Sequence, residues 1–187
     1  MSTRRTSSTA SQQTPILSDP WALFAHTLEA CLGAMEQGEI LILSRRTANQ
    51  FVQLFHKGDM IIAEAASNSY IEPPPFLLNT RQYARALDLG WRPPTMSGED
   101  FDELQKLQAM GVVEQSTEPD GTKYESPNFH VLFPLDASSL TWFLIETLRR
   151  VYKVRKPSDL QYRSFEADDG TQIKWPTLGL ARAQGPS

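Results

Sequence analysis

The strongest constraint in this sequence is a change of hydrophobic period. Two neighbouring runs, Asn49-Gln-Phe-Val-Gln-Leu-Phe55 and Met60-Ile-Ile-Ala-Glu-Ala-Ala-Ser67, read as alternating, part-apolar strands. Between Leu140 and Tyr152 the spacing differs: Leu140, Phe143, Leu144, Thr147, Leu148, Val151 and Tyr152 follow i, i+3, i+4 and i+7. A period of two sends alternate side chains to opposite faces of a strand, whereas the second spacing lines one face of a helix. The two strand runs are separated only by Lys57-Gly58-Asp59. Such a link is too short for a parallel crossover, so the pair must form an antiparallel hairpin.

The flanking segments extend this frame. Strands are predicted over Glu39 to Ser44, Asn49 to His56 and Met60 to Ser67, with Arg45-Arg46-Thr47-Ala48 as a second hairpin link. Before them, Asp19 caps a helix with Pro20 in its first position. Trp21, Phe24, Leu28, Cys31, Leu32 and Met35 line this helix, and Gly38 is expected to end it. After them, Glu72-Pro-Pro-Pro75 takes the chain out of the sheet, because proline supplies no ladder donor. Asn79 and Gln82 form a variant capping box for a helix that carries Tyr83 and Leu87 and stops at Gly90, with Trp91 folding back on it. A further strand is expected over Asn128 to Phe133.

Residues 96–124 read as an insert. Ser97 and Asp100 signal a helix lined by Phe101, Leu104 and Leu107, Gly111 ends it, and Pro119-Asp120-Gly121 marks the turn of a small hairpin. Residues 1–15 hold Ser, Thr and Gln with few large apolar groups and are expected to form a disordered tail. The expected organisation is one domain over 16–168 and a loose C-terminal tail over 169–187, part of which, around Ile173, Trp175 and Leu178, can dock as a short strand. The fold class is α+β: an antiparallel sheet with helices packed on one face.

Composition narrows the functions. A chain of 187 residues with 40% hydrophobic content supports one ordinary core. Its net charge of −4 argues against a protein devoted to neutralising phosphates, and Cys31 is its one cysteine, which excludes an internal disulfide or a cysteine-rich zinc site. No apolar run reaches the roughly 20 residues of a membrane span, and the residues after Arg4-Arg5 are polar, so neither a membrane nor an export signal is expected. The expected compartment is the cytoplasm.

Candidate binding residues follow from the pleat. Phe51, Gln53 and Phe55 share one face of their strand, and Gln50, Val52, Leu54 and His56 share the other. Both faces are part apolar, so one is either a binding surface, with Gln53 offering its amide to a peptide, or is covered by the insert or the termini. Glu64 shares a pleat face with Met60 and Ile62. It is a solvent-facing or loop-bonded carboxylate, a ligand for a partner's backbone, or an acid-base group. Trp142 and Ile145 fall off the main stripe of the last helix and either anchor a contact or pack under the C-terminal tail. Asn68 and Asn128 are read as turn-fixing amides.

No catalytic signature is present. Cys31 lies in an amphipathic helix, and His26, His56 and His130 are scattered with no metal-ligand spacing. Neither a nucleophile elbow nor a phosphate-binding loop occurs. The chain is therefore read as a non-enzyme without cofactor or metal. Arg149, Arg150, Lys153, Arg155 and Lys156 form one basic run. It supports the alternative of a nucleic-acid-binding or regulatory module using that run and the insert, although cations at a helix C-terminus are also explained by the macrodipole.

Six short elements, in order, carry a family resemblance: Phe51 to Phe55, Glu64-Ala-Ala-Ser-Asn68, Leu87-Asp-Leu-Gly-Trp-Arg-Pro-Pro94, Asn128-Phe129, Thr147-Leu-Arg-Arg-Val-Tyr152 and Pro157-Ser-Asp-Leu-Gln-Tyr162. With them the chain resembles the TY-Chap and YbjN-like group, relatives of type III secretion chaperones. The insert at 96–124 is longer than that pattern has between its Gly-Trp and Asn-Phe elements. The resemblance implies a secretion-chaperone-like α+β fold that holds a peptide or protein client, often as a homodimer. On that reading Phe51, Gln53, Phe55, Glu64, Trp142 and Ile145 are the partner-binding candidates.

Overall fold

The computed structural model describes residues 19–94 and 127–183. The tail expected over 1–15 and the helix-hairpin insert expected over 96–124 lie outside the described residues.

Helix α1 (Pro20–Gly33) starts where the sequence places it: the Asp19 carboxylate accepts the Trp21 N–H at 3.0 Å and Pro20 occupies the first turn. It ends five residues earlier than expected, at Gly33, with Ala34 and Met35 still bonding back to Cys31 and Leu32. Gly38 instead adopts φ +94°, a left-handed turn that delivers the chain into the first strand.

The described strands are β1 (Glu39–Arg45), β2 (Phe51–Lys57), β3 (Met60–Ala65), β4 (Phe129–Pro134), β5 (Leu160–Glu166) and β6 (Ala181–Arg182). They form one sheet in the order β4-β3-β2-β1-β5-β6, antiparallel except for the short β5–β6 pair. The β2–β3 link is the expected hairpin, and Gly58 takes φ +65° in its turn. Alternation then decides the layers. Leu41, Leu43, Val52, Leu54, Ile61, Ala63 and Ala65 point to one side and are buried. That side is covered by α1, by α2 (Thr80–Leu89) and by α3 (Ala137–Glu146), with α1 packed along α3. Each large aliphatic side chain buried there contributes about 1.5–3 kcal/mol. The chain is thus an α+β protein with its helices on one face of a mostly antiparallel sheet.

Both predicted caps of α2 are present. The Asn79 side chain accepts the Gln82 N–H at 3.1 Å, the Gln82 side chain accepts the Asn79 N–H at 3.3 Å, and Gly90 closes the helix at φ +108°. The last helix runs as expected but changes pitch: beyond Glu146 it continues as a π-turn over Thr147–Val151, in which the Tyr152 N–H reaches the Thr147 carbonyl at 3.1 Å.

Strand β5 was not expected. Leu160, Tyr162 and Ser164 face the helices while Gln161, Arg163 and Phe165 face away. The strand inserts beside β1, so the closing helix is not the last element of the fold. The segment after it runs along its outer edge: the Ile173 N–H bonds the Ser164 carbonyl at 2.9 Å and the Ala183 N–H bonds that of Tyr162 at 2.8 Å. Trp175 donates its indole N–H to Ser164 Oγ at 3.1 Å, and Leu178 is buried.

Candidate functional site

The candidate site is the sheet face opposite the helices. The register brings Ile40, Phe55 and Ile62 side by side across β1, β2 and β3, with Phe165 of β5 beside Ile40 and Leu132 of β4 beside Ile62. This is an apolar row across five strands. One pleat along, Arg163, Ile42, Gln53, Glu64 and His130 form a mixed row, and beyond it lie Gln161, Ser44 and Phe51. Most of these side chains are half-buried; Leu132 is 51% exposed and His130 is buried. The Arg163 guanidinium lies 4.8 Å from the centre of the Phe165 ring, leaving the pair as a flat apolar and cationic border.

Four of the six candidate residues therefore share this face. Phe51, Gln53 and Phe55 lie on β2, and Glu64 stands directly opposite Gln53. The remaining two belong to the other layer. Trp142 is 59% exposed on α3, beside an open depression of about 460 Å³ bordered by Leu89, Phe133 and Phe143. Ile145 is buried at 7% exposure, so the contact expected of it is not available in this fold. Because α1 lies along α3, that helix buries Leu140, Thr141, Phe143, Leu144, Ile145 and Glu146, an arc wider than the single stripe visible in its spacing.

Sequence reasoning missed residues of this face on β1, β4 and β5. Ile40, Ile42, Leu132, Arg163 and Phe165 all join the open face. A signal existed in the alternation Leu160-Gln-Tyr-Arg-Ser-Phe165.

The motif residues do a different job. The Trp91 indole N–H donates to Thr147 Oγ1 at 2.9 Å, and that hydroxyl donates to the Phe143 carbonyl at 2.8 Å. Tyr152 donates its phenol to the Ala66 carbonyl at 2.8 Å. Ser67 Oγ donates to the Pro127 carbonyl at 2.7 Å, while the Ser67 N–H reaches Asn128 Oδ1 at 3.4 Å. The Asn68 amide clamps both backbone groups of Leu78, accepting at 2.7 Å and donating at 3.0 Å. Tyr83 and Phe129 pack at a tilt with ring centres 4.7 Å apart. These contacts tie the end of β3, the start of β4, α2 and the π-turn together. Asn68 and Asn128 thus fix backbone, as their sequence context indicates.

The titratable groups do not assemble a reaction centre among the described residues. Burial pushes the Cys31 thiol up, partly offset by its contact with the Thr177 hydroxyl, and burial raises the Tyr152 phenol well above its usual range. His26 is exposed on α1, and the His56 ring meets the Met35 carbonyl at 3.1 Å. No group of three or more His, Cys, Asp or Glu side chains among the described residues is placed to hold a metal. None of the described helices is long and apolar enough to cross a membrane. In the basic run, Arg150 pairs with Glu146 and the Arg149 guanidinium lies 5.7 Å from the centre of the Trp21 ring. Those two cations already have intramolecular partners.

Residues 15–166 match the model of the TY-Chap3 family, described as T3SS (YopN, CesT) and YbjN peptide-binding chaperone 3. No curated protein and no solved structure matches the chain. A family model that spans this share of the sequence, over a fold of the expected α+β layout, settles the assignment: the chain belongs to the TY-Chap3 family of peptide-binding chaperones.

Proposed function

We propose that this protein is a non-catalytic, cytoplasmic chaperone-like module that holds a client polypeptide on the open face of its sheet. The observation that carries the reading is the apolar row Phe165, Ile40, Phe55, Ile62 and Leu132, which lies on the side of the sheet away from α1, α2 and α3. An extended segment laid there buries apolar area on Phe55 and Phe51, while Gln53 offers a donor and an acceptor to its backbone. Glu64 adds a carboxylate at the edge of the same patch. What supports a dimer contact on α3 is Trp142, which stands exposed beside its depression and is of a side-chain type enriched among interface anchors.

Photo-crosslinking residues at positions 51 and 55, with exposed His26 on α1 as control position, test the client surface in the producing cell. Adducts with a client are expected from the two sheet positions and not from position 26. Phe55→Asp is expected to abolish those adducts at position 51 while leaving the thermal melt largely intact; equal crosslinking from all three positions refutes the reading. For the dimer, light scattering should give twice the chain mass for the native protein and the single mass for Trp142→Ala, and a monomeric native protein refutes it.

A further inference from the structure

At the Arg45 end of the open face, the β1–β2 hairpin borders an open depression of about 350 Å³. Its floor is Ile42 and Phe51, and Ser44, Gln53 and Gln161 reach it from three adjacent strands. Among the described residues its charged lining consists of two arginines and no carboxylate. The two arginines differ in what they have left to give. Arg45 donates to Gln50 Oε1 at 3.2 Å and to the Tyr152 carbonyl at 3.3 Å, with its guanidinium 4.6 Å from the centre of the Phe76 ring. Arg46 is exposed and, among the described residues, commits only its Nε, to the Leu160 carbonyl at 3.2 Å, so both of its terminal nitrogens remain for a ligand. At the rim the Glu72 and Asp159 backbone carbonyls accept from the Asn49 and Arg46 N–H groups, and Glu64 stands one strand outside the lining, opposite Gln53.

An arginine fork beside amide donors, above an apolar floor, suits a carboxylate carried next to an apolar side chain. Resting on the reading of this face as the client surface, we infer that the hairpin depression is a specificity subsite for an acidic side chain of an extended, otherwise apolar and uncharged client segment. The chemistry it selects is a carboxylate. An ammonium group would meet Arg46 with no carboxylate in the lining to offset it, and a neutral amide would forgo the charge-assisted bonds. Arg46 acts here as a client-binding residue through charge, and Gln53 and Gln161 orient the carboxylate by donating their amides.

Three blocked heptapeptides that alternate leucine and serine, with glutamate, glutamine or lysine at the centre, test this on the full chain by nitrogen-15 correlation spectra at 50 mM salt. The glutamate peptide is expected to bind at least five times more tightly than the glutamine peptide and to shift the amides of Phe51 and Gln53. The preference should shrink as salt is raised, because the site is open to solvent. Arg46→Gln should erase it, and Arg46→Glu should transfer it to the lysine peptide. Equal binding of the glutamate and glutamine peptides, or a preference that survives Arg46→Gln, overturns the subsite and leaves the client face standing. Failure of all three peptides to perturb the open face overturns the client face, and the subsite with it.

Discussion

Replacing Thr147 by valine isolates what the family motif contributes. Valine keeps the β-branched shape, so the change deletes one hydroxyl from a site that is 0% exposed, next to a Trp91 that is 3% exposed. Two bonds are lost: the one accepted from the Trp91 indole at 2.9 Å and the one donated to the Phe143 carbonyl at 2.8 Å. A buried donor left without a partner costs about 1–3 kcal/mol, and the loss of an ordinary hydrogen bond costs about 0.5–1.5 kcal/mol. The carbonyl lies inside a helix and has helical alternatives, so the expected sum is about 2–3 kcal/mol. With a urea slope of about 2 kcal/mol/M for a chain of this size, the unfolding midpoint should fall by roughly 1–1.5 M. Trp91→Phe removes the same bond from the other side, and a double-mutant cycle should return about 1 kcal/mol of coupling. Far-UV circular dichroism in urea reads all four proteins, and the native-state spectra with the heptapeptides should be unchanged. A midpoint within about 0.2 M of the parent, or a coupling near zero, would refute the assignment of this pair as a structural lock. Retained stability with lost peptide binding would move the motif into the binding site.

Other changes probe separate links. Asn79→Ala removes the side-chain cap on the Gln82 N–H, leaving the Gln82 side chain on the residue-79 N–H, and should lower stability by about 1 kcal/mol in the same urea assay, with no effect on peptide binding. Leu54→Ala, in a fully packed part of the core, should cost about 3–5 kcal/mol, whereas Phe55→Asp next to it on the open face should leave the midpoint nearly unmoved; equal losses would mean both faces are core. Glu166 is pushed above its usual value of 4.5 by desolvation first, then by the charges of Glu39, Asp169, Glu36 and Asp168. Its folded-state value therefore exceeds the unfolded one, so the ionised form penalises the fold above the folded value and the penalty fades as pH falls towards 4.5. Glu166→Gln should raise the melting temperature at pH 7, and a gain that persists undiminished at pH 4 would exclude this cause. Deleting residues 171–187 bares the outer edge of β5 and should produce concentration-dependent association in sedimentation, because an unpaired strand edge is a template for another chain.

Where local chemistry decides structure, it was readable from the residues alone. The Asn79 and Gln82 box, the turn at Gly58, the stop at Gly90 and the start at Asp19 each need only a few neighbouring atoms, and each forms as expected. Gly38 shows the limit. A glycine after an amphipathic run looks like a helix cap, but the same left-handed backbone also serves a turn into a strand, and only the pairing of β1 distinguishes them. The candidate site split for a similar reason. Period two separates Phe51, Gln53 and Phe55 from Val52 and Leu54, yet which of the two faces the helices cover is a long-range fact. Ile145 was misplaced because a helix packed by both a sheet and α1 buries more than the stripe its own period reveals. Strand β5 carried a clear alternation, but a proline-led exit from a helix, Pro157-Ser-Asp, gives no local hint that the next residues pair with β1 over a hundred positions earlier.

The buried residues of the family motif and the residues proposed to face the client are held by different forces, although Phe51 to Phe55 and Glu64 belong to both. A buried indole, phenol or amide is tolerated only when its partner is present, so Trp91 requires Thr147, Tyr152 requires the Ala66 carbonyl and Asn68 requires Leu78. Changing one member orphans the other inside the core, which binds these positions together as a unit wherever the fold is kept. On the open face no such coupling acts between Ile40, Phe55, Ile62 and Leu132, which touch as apolar neighbours and tolerate exchange of one apolar residue for another at small cost. On the proposed reading the buried pairs specify the scaffold, while the choice of client rests on the exchangeable row and on the charge at its hairpin end. Transplanting Arg46, Gln53 and Gln161 together onto another member of the family should carry the preference for an acidic segment with them, and transplanting the Trp91 and Thr147 pair should carry none of it.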